Sequence, residues 1–211
     1  MTVSLIGILF GTCLQTLMIS MNRISTPVVL AFLFGLAAMA VRFSSVPTNF
    51  ALIGGLSLFC GCYLRGWKAW GIPLGFMAFS DIVGHFSHVS DMGFYHPATM
   101  AGVYLGFATM ILVGHALRLA ESKEDQQIGA LWVIGGASLG SMEFFLLSNF
   151  GSWLDPQSGY ALSFSGLVEC YVAGLPFHKW TIASDLFSAA LFFGTYQVFR
   201  GRLVTHPASS R

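Results

Sequence analysis

Charge is what this sequence has least of. Only 9% of its 211 residues are Asp, Glu, Lys or Arg, against 55% that are hydrophobic. A soluble domain carries about 25% charged residues, and a globule burying this much apolar surface would lack polar residues to coat itself. Lipid removes the need for a coat. Ten Lys and Arg against nine Asp and Glu give a formal charge of +1, without the basic footprint that a nucleic-acid partner requires. There is no Gly-x-x-x-x-Gly-Lys-Ser/Thr run, hence no P-loop ATPase. The first positive charge, Arg23, follows the first apolar stretch instead of preceding it, so no secretory signal is expected. Cysteine is sparse as well. Three of Cys13, Cys60, Cys62 and Cys170 sit in apolar runs, which implies no disulfide framework. Cys60-Gly-Cys62 reads either as a metal or redox pair or as small buried residues of a helix.

What is present is apolar length. Mean hydropathy is +0.72, and twenty residues are Phe. Long uncharged runs bounded by Arg, Lys or Pro predict an all-α, polytopic transmembrane helix bundle. Six core spans are expected at 26–41, 50–64, 69–85, 99–117, 128–150 and 181–199. Residues 1–22 form an optional N-terminal apolar helix, 23–202 the membrane domain and 203–211 a cytoplasmic tail. The stretch 151–179 holds Asp155, Pro156, Gly159, Glu169 and Pro176. It reads as a loop with a short helix, because its apolar part, 166–175, is too short to span.

Orientation follows from the positive charges. If the start of the first span is inside, then Arg23, Arg65, Lys68, Arg118, Lys123, Arg200, Arg202 and Arg211 are inside, eight of the ten, and only Arg42 and Lys179 are outside. This predicts a multi-pass protein of the bacterial inner membrane with both core termini cytoplasmic. Glu121, Glu124 and Asp125 then lie inside. The remaining acids, Asp81, Asp91, Glu143, Asp155, Glu169 and Asp185, fall in the outer half or outer loops with His85, His88, His96 and His178. Charges at membrane depth face a bundle interior or a wet cavity. Asp81, Glu143 and Asp185, from three helices, therefore suggest one outward-facing polar cavity, with Arg42 and Lys179 as counter-ions. The bland alternative is that Asp81 pairs with Arg42 and Asp185 with Lys179 merely to lock helices.

The most chemical stretch runs from Asp81 to Pro97. On a continuous helix Asp81, His85 and His88 share a face at i, i+4 and i+7, and imidazole with carboxylate can hold a transition metal. Asp91 and His96 could close such a site from the loop; the bland reading is interfacial histidines and helix caps. Tyr95, Trp153 and neighbouring aromatics form either an interfacial belt or the walls of a flat-ligand site. Ala31, Gly35 and Ala38 line one stripe of the first span, suited to packing within the bundle or to docking a partner.

The run Pro47-Thr-Asn-Phe-Ala-Leu-Ile-Gly-Gly-Leu-Ser-Leu-Phe, then Ser80-Asp81, Val103-Tyr-Leu-Gly-Phe, Ser148-Asn-Phe-Gly-Ser-Trp153, Cys170-Tyr-Val-Ala-Gly-Leu-Pro-Phe and Ser184-Asp185-Leu-Phe resembles a family of uncharacterised bacterial six-helix membrane proteins. That family is similar in architecture to the S components of energy-coupling-factor (ECF) transporters, and distantly to the solitary cobalamin-type S components. The resemblance implies substrate binding near the outer surface, with the lipid bilayer, an ECF coupling subunit and ATPases as partners. Ala31, Gly35 and Ala38 would match the docking face for the coupling subunit. Asp81 would match the acid ending the third helix. No Cys follows it here, which leaves His88 or His96 as stand-ins for a cobalt ligand, and Ser44 and Ser45 stand where family members often have His.

The expected function is a membrane substrate-binding subunit for uptake of a small nutrient: a vitamin, cobalamin-like compound or metal ion. Arg42, Asp81, His85, His88, Tyr95, His96, Glu143, Asn149, Trp153, Lys179 and Asp185 are the expected ligand-binding residues, with His85, His88 and His96 as metal ligands. The cofactor is left open, a bound metal ion or a cobalt-containing ligand being the candidates, and no catalytic residue is assigned. The rivals are an intramembrane metal-dependent enzyme using Asp81, His85, His88 and Glu143, and a non-catalytic membrane scaffold.

Overall fold

The computed structural model describes residues 25–44, 49–89, 92–119 and 128–205, the last five of these as backbone only. Residues 1–20, Arg23, Asp91, Glu121, Lys123, Glu124, Asp125 and Arg211 lie outside the described residues, as does the Arg202 side chain. The described residues form six α-helices, one 3-10 turn and no strand: α1 (Thr26–Arg42), α2 (Ile53–Tyr63), α3 (Trp67–Phe86), α4 (Pro97–Leu119), α5 (Ala130–Trp153), the turn Pro156–Ser158, and α6 (Phe164–Thr205). Three stretches are long and apolar enough to cross a membrane: Pro97–Leu119, Ala130–Trp153 and Phe164–Arg200. α3 has twenty residues, but Lys68, Asp81 and His85 lower its hydropathy.

Successive helices alternate in direction. α1 and α3 run parallel, Gly35 lying on Phe76 and Arg42 on Asp81. α3 and α4 are antiparallel, with Tyr104 at Asp81 and His115 at Trp70. α4 and α5 are antiparallel and closely packed, with Gly102 against Gly151 and Met110 against Gly140. α5 and α6 are antiparallel from Asn149 at Gly174 to Ile128 at Gln197. α2 runs parallel to α4 and α6, because Gly54 meets both Met110 and Asp185 while Gly114 meets Leu58.

The helices are apolar inside and out, and the buried polar side chains lie within a hydrophobic core. Ser57, Ser80, Asp81, Ser141, Ser184, Asp185 and Ser188 are buried, whereas Phe32, Leu36, Leu105, Leu112, Leu139, Leu146, Val172 and Leu191 are exposed. A helix perimeter of this kind suits hydrocarbon, where only the interior can satisfy polar groups.

Two expectations change. The second span, expected at 50–64, is an eleven-residue helix, α2, with every residue from Ile53 to Cys62 buried. At about 1.5 Å per residue it is about 16 Å long, half the roughly 30 Å hydrocarbon core. It is the bundle's axis, wrapped by the other helices. Its C-terminal carbonyls end inside the protein, where Arg118 of α4 meets them: Nε donates to Cys62 O, and Nη2 donates to Leu64 O at 2.6 Å and Gly61 O at 3.5 Å. A guanidinium at a helix C-terminus satisfies orphan carbonyls and opposes the dipole. The expected loop at 151–179 is also mostly helix, since α6, forty-two residues long, begins at Phe164 and runs on past Pro176. The proline removes one ladder bond without ending the helix, because packing on α5 continues on both sides of it: Asn149 lies on Gly174, and the Phe145 and His178 rings are 4.6 Å apart. The true connection is short and pinned by Trp153 Nε1 donating to Ala161 O at 2.8 Å.

Arg118→Ala strips the α2 carbonyls of their partner. The expected loss is about 2–4 kcal/mol, read as a lower midpoint of thermal unfolding in detergent; an unchanged midpoint would refute the capping role.

Candidate functional site

Three polar clusters stand at different levels along the bundle. The first joins α1, α3 and α4. Arg42, the last residue of α1, donates from Nη2 to Asp81 Oδ1 at 2.7 Å and from Nη1 to Ser80 Oγ at 2.9 Å, and Nη1 also touches the Met77 sulfur. Tyr104 OH donates to Asp81 Oδ2 at 2.9 Å. Both carboxylate oxygens are thus occupied, and the two charges cancel in a site where the side chains are 10% and 3% exposed. A charge-assisted pair closed by additional hydrogen bonds is the stable form of a buried ion pair. Here Asp81 makes the helix-locking contact with Arg42 that was weighed above as the bland alternative.

The second cluster is Asp185, 2% exposed. It lies where four helices meet. A Cβ on Gly54 of α2 would fall 2.0 Å from its Oδ1 and 2.9 Å from Met110 Cε of α4, and Ser141 of α5 lies beside the carboxyl. Asp185 Oδ2 and Ser141 Oγ are both buried, and no well-formed hydrogen bond reaches either oxygen. Among the described residues Asp185 forms no ion pair. Lys179, expected as its partner, is exposed with Nζ 5.4 Å from the Trp180 ring.

The third cluster lies where α4 begins. His96 precedes Pro97, the first residue of α4; its Nδ1 accepts from Ala98 N–H at 3.3 Å and lies 3.9 Å from Asp155 Oδ1. Asp155 also accepts from Thr99 Oγ1 at 2.9 Å and from Gln157 N–H at 2.8 Å. A polar residue ahead of a first-turn proline is a usual helix start.

The expected histidine site is not assembled. α3 ends at Phe86, and His88 adopts φ 52° while the Val89 N–H returns to Gly84 O at 3.0 Å. That is a left-handed helix end, so His88 leaves the face that Asp81 and His85 share. His85 is exposed between the Phe94 and Phe86 rings, and Tyr95 is exposed. Among the described residues no three His, Cys, Asp or Glu side chains stand together as metal ligands. Cys60 and Cys62 are both buried, two residues apart and so on different faces of α2. Glu143 Oε2 is buried with no partner. Asn149 Nδ2 donates back to Phe145 O within α5 at 2.8 Å, and its main-chain carbonyl accepts from the Cys170 thiol of α6 at 3.3 Å. The docking stripe is also redirected. Ala31 and Ala38 are 0% exposed, and a Cβ on Gly35 would sit 2.2 Å from the Phe76 ring, so the stripe packs α1 inward and offers no free face.

Depth is what keeps Asp81 and Asp185 apart. Asp185 was expected just inside the outer end of its span, yet it stands twenty-one residues into α6, about 31 Å along. Tyr104, which holds Asp81, is six residues from Met110, the α4 residue level with Asp185. The separation is about 9 Å. Tyr104, Ser141 and Gly54 were not singled out from sequence. The signal that marks them is a small or hydroxyl-bearing residue inside an otherwise apolar run.

The family of unknown function DUF6580 matches residues 22–208. The chain belongs to that family. No curated protein and no solved structure matches it.

Removing either partner of the first cluster, by Arg42→Ala or Asp81→Asn, is expected to destabilise by about 3–5 kcal/mol, and the double change Arg42→Met with Asp81→Leu by much less. Tyr104→Phe should lose about 1 kcal/mol. Thermal unfolding of the four variants checks this; additive losses in the double variant would contradict coupling.

Proposed function

We propose that this protein is an integral membrane subunit that binds a small polar solute for uptake, built as one six-span bundle with both core ends in the cytoplasm. The observation carrying the reading is Asp185, an unpaired carboxyl buried at the junction of α2, α4, α5 and α6. An ionisable group kept at membrane depth without a structural partner marks a path or site for something polar. The alternating helix directions and apolar perimeter support the bundle, and the count of positive charges supports the orientation. α2 supports transport in particular, since short helices ending inside a bundle recur at the midplane sites of transporters. The likeness to S components belongs to this proposal through the sequence blocks alone. With the α1 stripe turned inward, an ECF coupling subunit would need another face. The scaffold reading is favoured by one observation, the complete closure of Asp81 by Arg42 and Tyr104, which explains the first cluster without a ligand.

Single cysteines at Ser44 and Arg65, in an otherwise cysteine-free chain, test the topology: Ser44→Cys should label from outside intact cells and Arg65→Cys only after permeabilisation. Native mass spectrometry of the full chain from mild detergent tests binding. A non-lipid adduct of constant mass is expected, and Asp185→Asn should weaken its retention about tenfold. Identical labelling of the two cysteines sinks the six-span bundle, and a chain that never carries such an adduct sinks the uptake reading.

A further inference from the structure

The Asp185 cluster has a charge balance that narrows what can occupy it. The carboxyl is faced by Gly54 from α2, Met110 from α4 and Ser141 from α5, none of which ionises. Its own helix adds Ser184 and Ser188, both 0% exposed. Their hydroxyls donate backward along α6, Ser184 to Thr181 O at 2.9 Å and Ser188 to Ser184 O at 2.7 Å, so neither donates to the carboxyl. Two buried oxygens, Asp185 Oδ2 and Ser141 Oγ, lack a hydrogen bond of good geometry, although Ser141 stands close enough to the carboxyl to act on it. Such orphans are uncommon and call for an occupant. A divalent ion on one carboxylate would leave net charge buried, whereas a single positive charge cancels it.

We propose that Asp185 and Ser141 form the binding site of a small monovalent cation, a proton or a sodium ion, whose exchange drives the solute movement proposed above. The inference rests on that reading for its purpose but not for its chemistry. A proton turns Oδ2 into a donor for Ser141 Oγ. A sodium ion, a hard cation, takes the carboxylate and hydroxyl oxygens as ligands. Exchange also requires that the empty site be tolerable. The N-terminus of α2 provides for this: it begins at Ile53 with no side-chain cap on Leu52, and its Gly54 lies directly against Oδ1. The positive end of a helix dipole therefore faces the carboxylate when the cation has left.

Infrared spectroscopy of the full chain in lipid reads the carboxyl itself. A protonated-carboxyl carbonyl band is expected in the native protein and absent from Asp185→Asn; it should vanish as pH rises. If the same band falls when sodium chloride replaces choline chloride at constant pH, the ion is sodium; if it ignores sodium, the ion is the proton. Ser141→Ala keeps the carboxyl and should move the midpoint of the titration about fivefold in cation concentration, which guards against a misfolded Asp185→Asn. A band that persists at every pH, or no band at any pH in sodium-free choline chloride, overturns the site. Failure of solute uptake beside a titrating band would remove the uptake reading and leave the cation site in place.

Discussion

A helix too short to cross a bilayer by itself depends on the protein to settle the ends of its backbone, and α2 is such a helix. Its last carbonyls are held by Arg118 and its first turn lies against Asp185. The remaining helices are arranged around those two demands. α4 brings the guanidinium to one end and Met110 to the other, and α6 supplies the acid. Backbone groups left open in an apolar interior cost several kcal/mol each, so the two polar contacts are conditions for burying α2 at all. Close approach matters as much: Gly114 packs on Leu58 O, where a Cβ would stand at 2.3 Å.

The same geometry separates two acids that look alike on paper. Asp81 and Asp185 each follow a serine within an apolar run and each end up 2% exposed. Asp81 faces a cation and a phenol and is electrically closed. Asp185 faces a glycine, a methionine and a serine and is open. A structural role suffices for the first. The second is the residue on which a functional proposal can be built, because nothing in its surroundings answers its charge except the end of α2.

Much of the architecture could be read before any coordinates. Arg42 and Arg118 stand at the ends of α1 and α4, because in a chain this apolar a helix stops close to where charge begins. What could not be read has physical causes. A fully buried axial helix and a lipid-facing one are both apolar all round, so hydropathy does not distinguish α2 from a true span; only its Gly, Ser and Cys content hints at a crowded interior. Pro176, Glu169 and Lys179 look like loop markers, yet α6 passes through all three because α5 continues to support it. That early start moved Asp185 away from the outer rim where counting from the span's end had placed it. The shared face of Asp81, His85 and His88 failed for a local reason, since His88 takes the left-handed turn that ends α3. The metal expectation depended on that face.

α6 has one more property worth following. At forty-two residues it is about 63 Å long, roughly twice the hydrocarbon thickness, and Pro176 leaves the Val172 carbonyl without its main-chain donor. Bending is therefore easiest at one known place, which divides the helix into two stiff arms. The arm before the proline is stapled to the end of α5 through Cys170 and Gly174, and the arm after it carries Asp185 into the centre. Any flexure of α6 is concentrated at that joint, where α5 braces both arms, and the carboxyl lies beyond it, seated against α2.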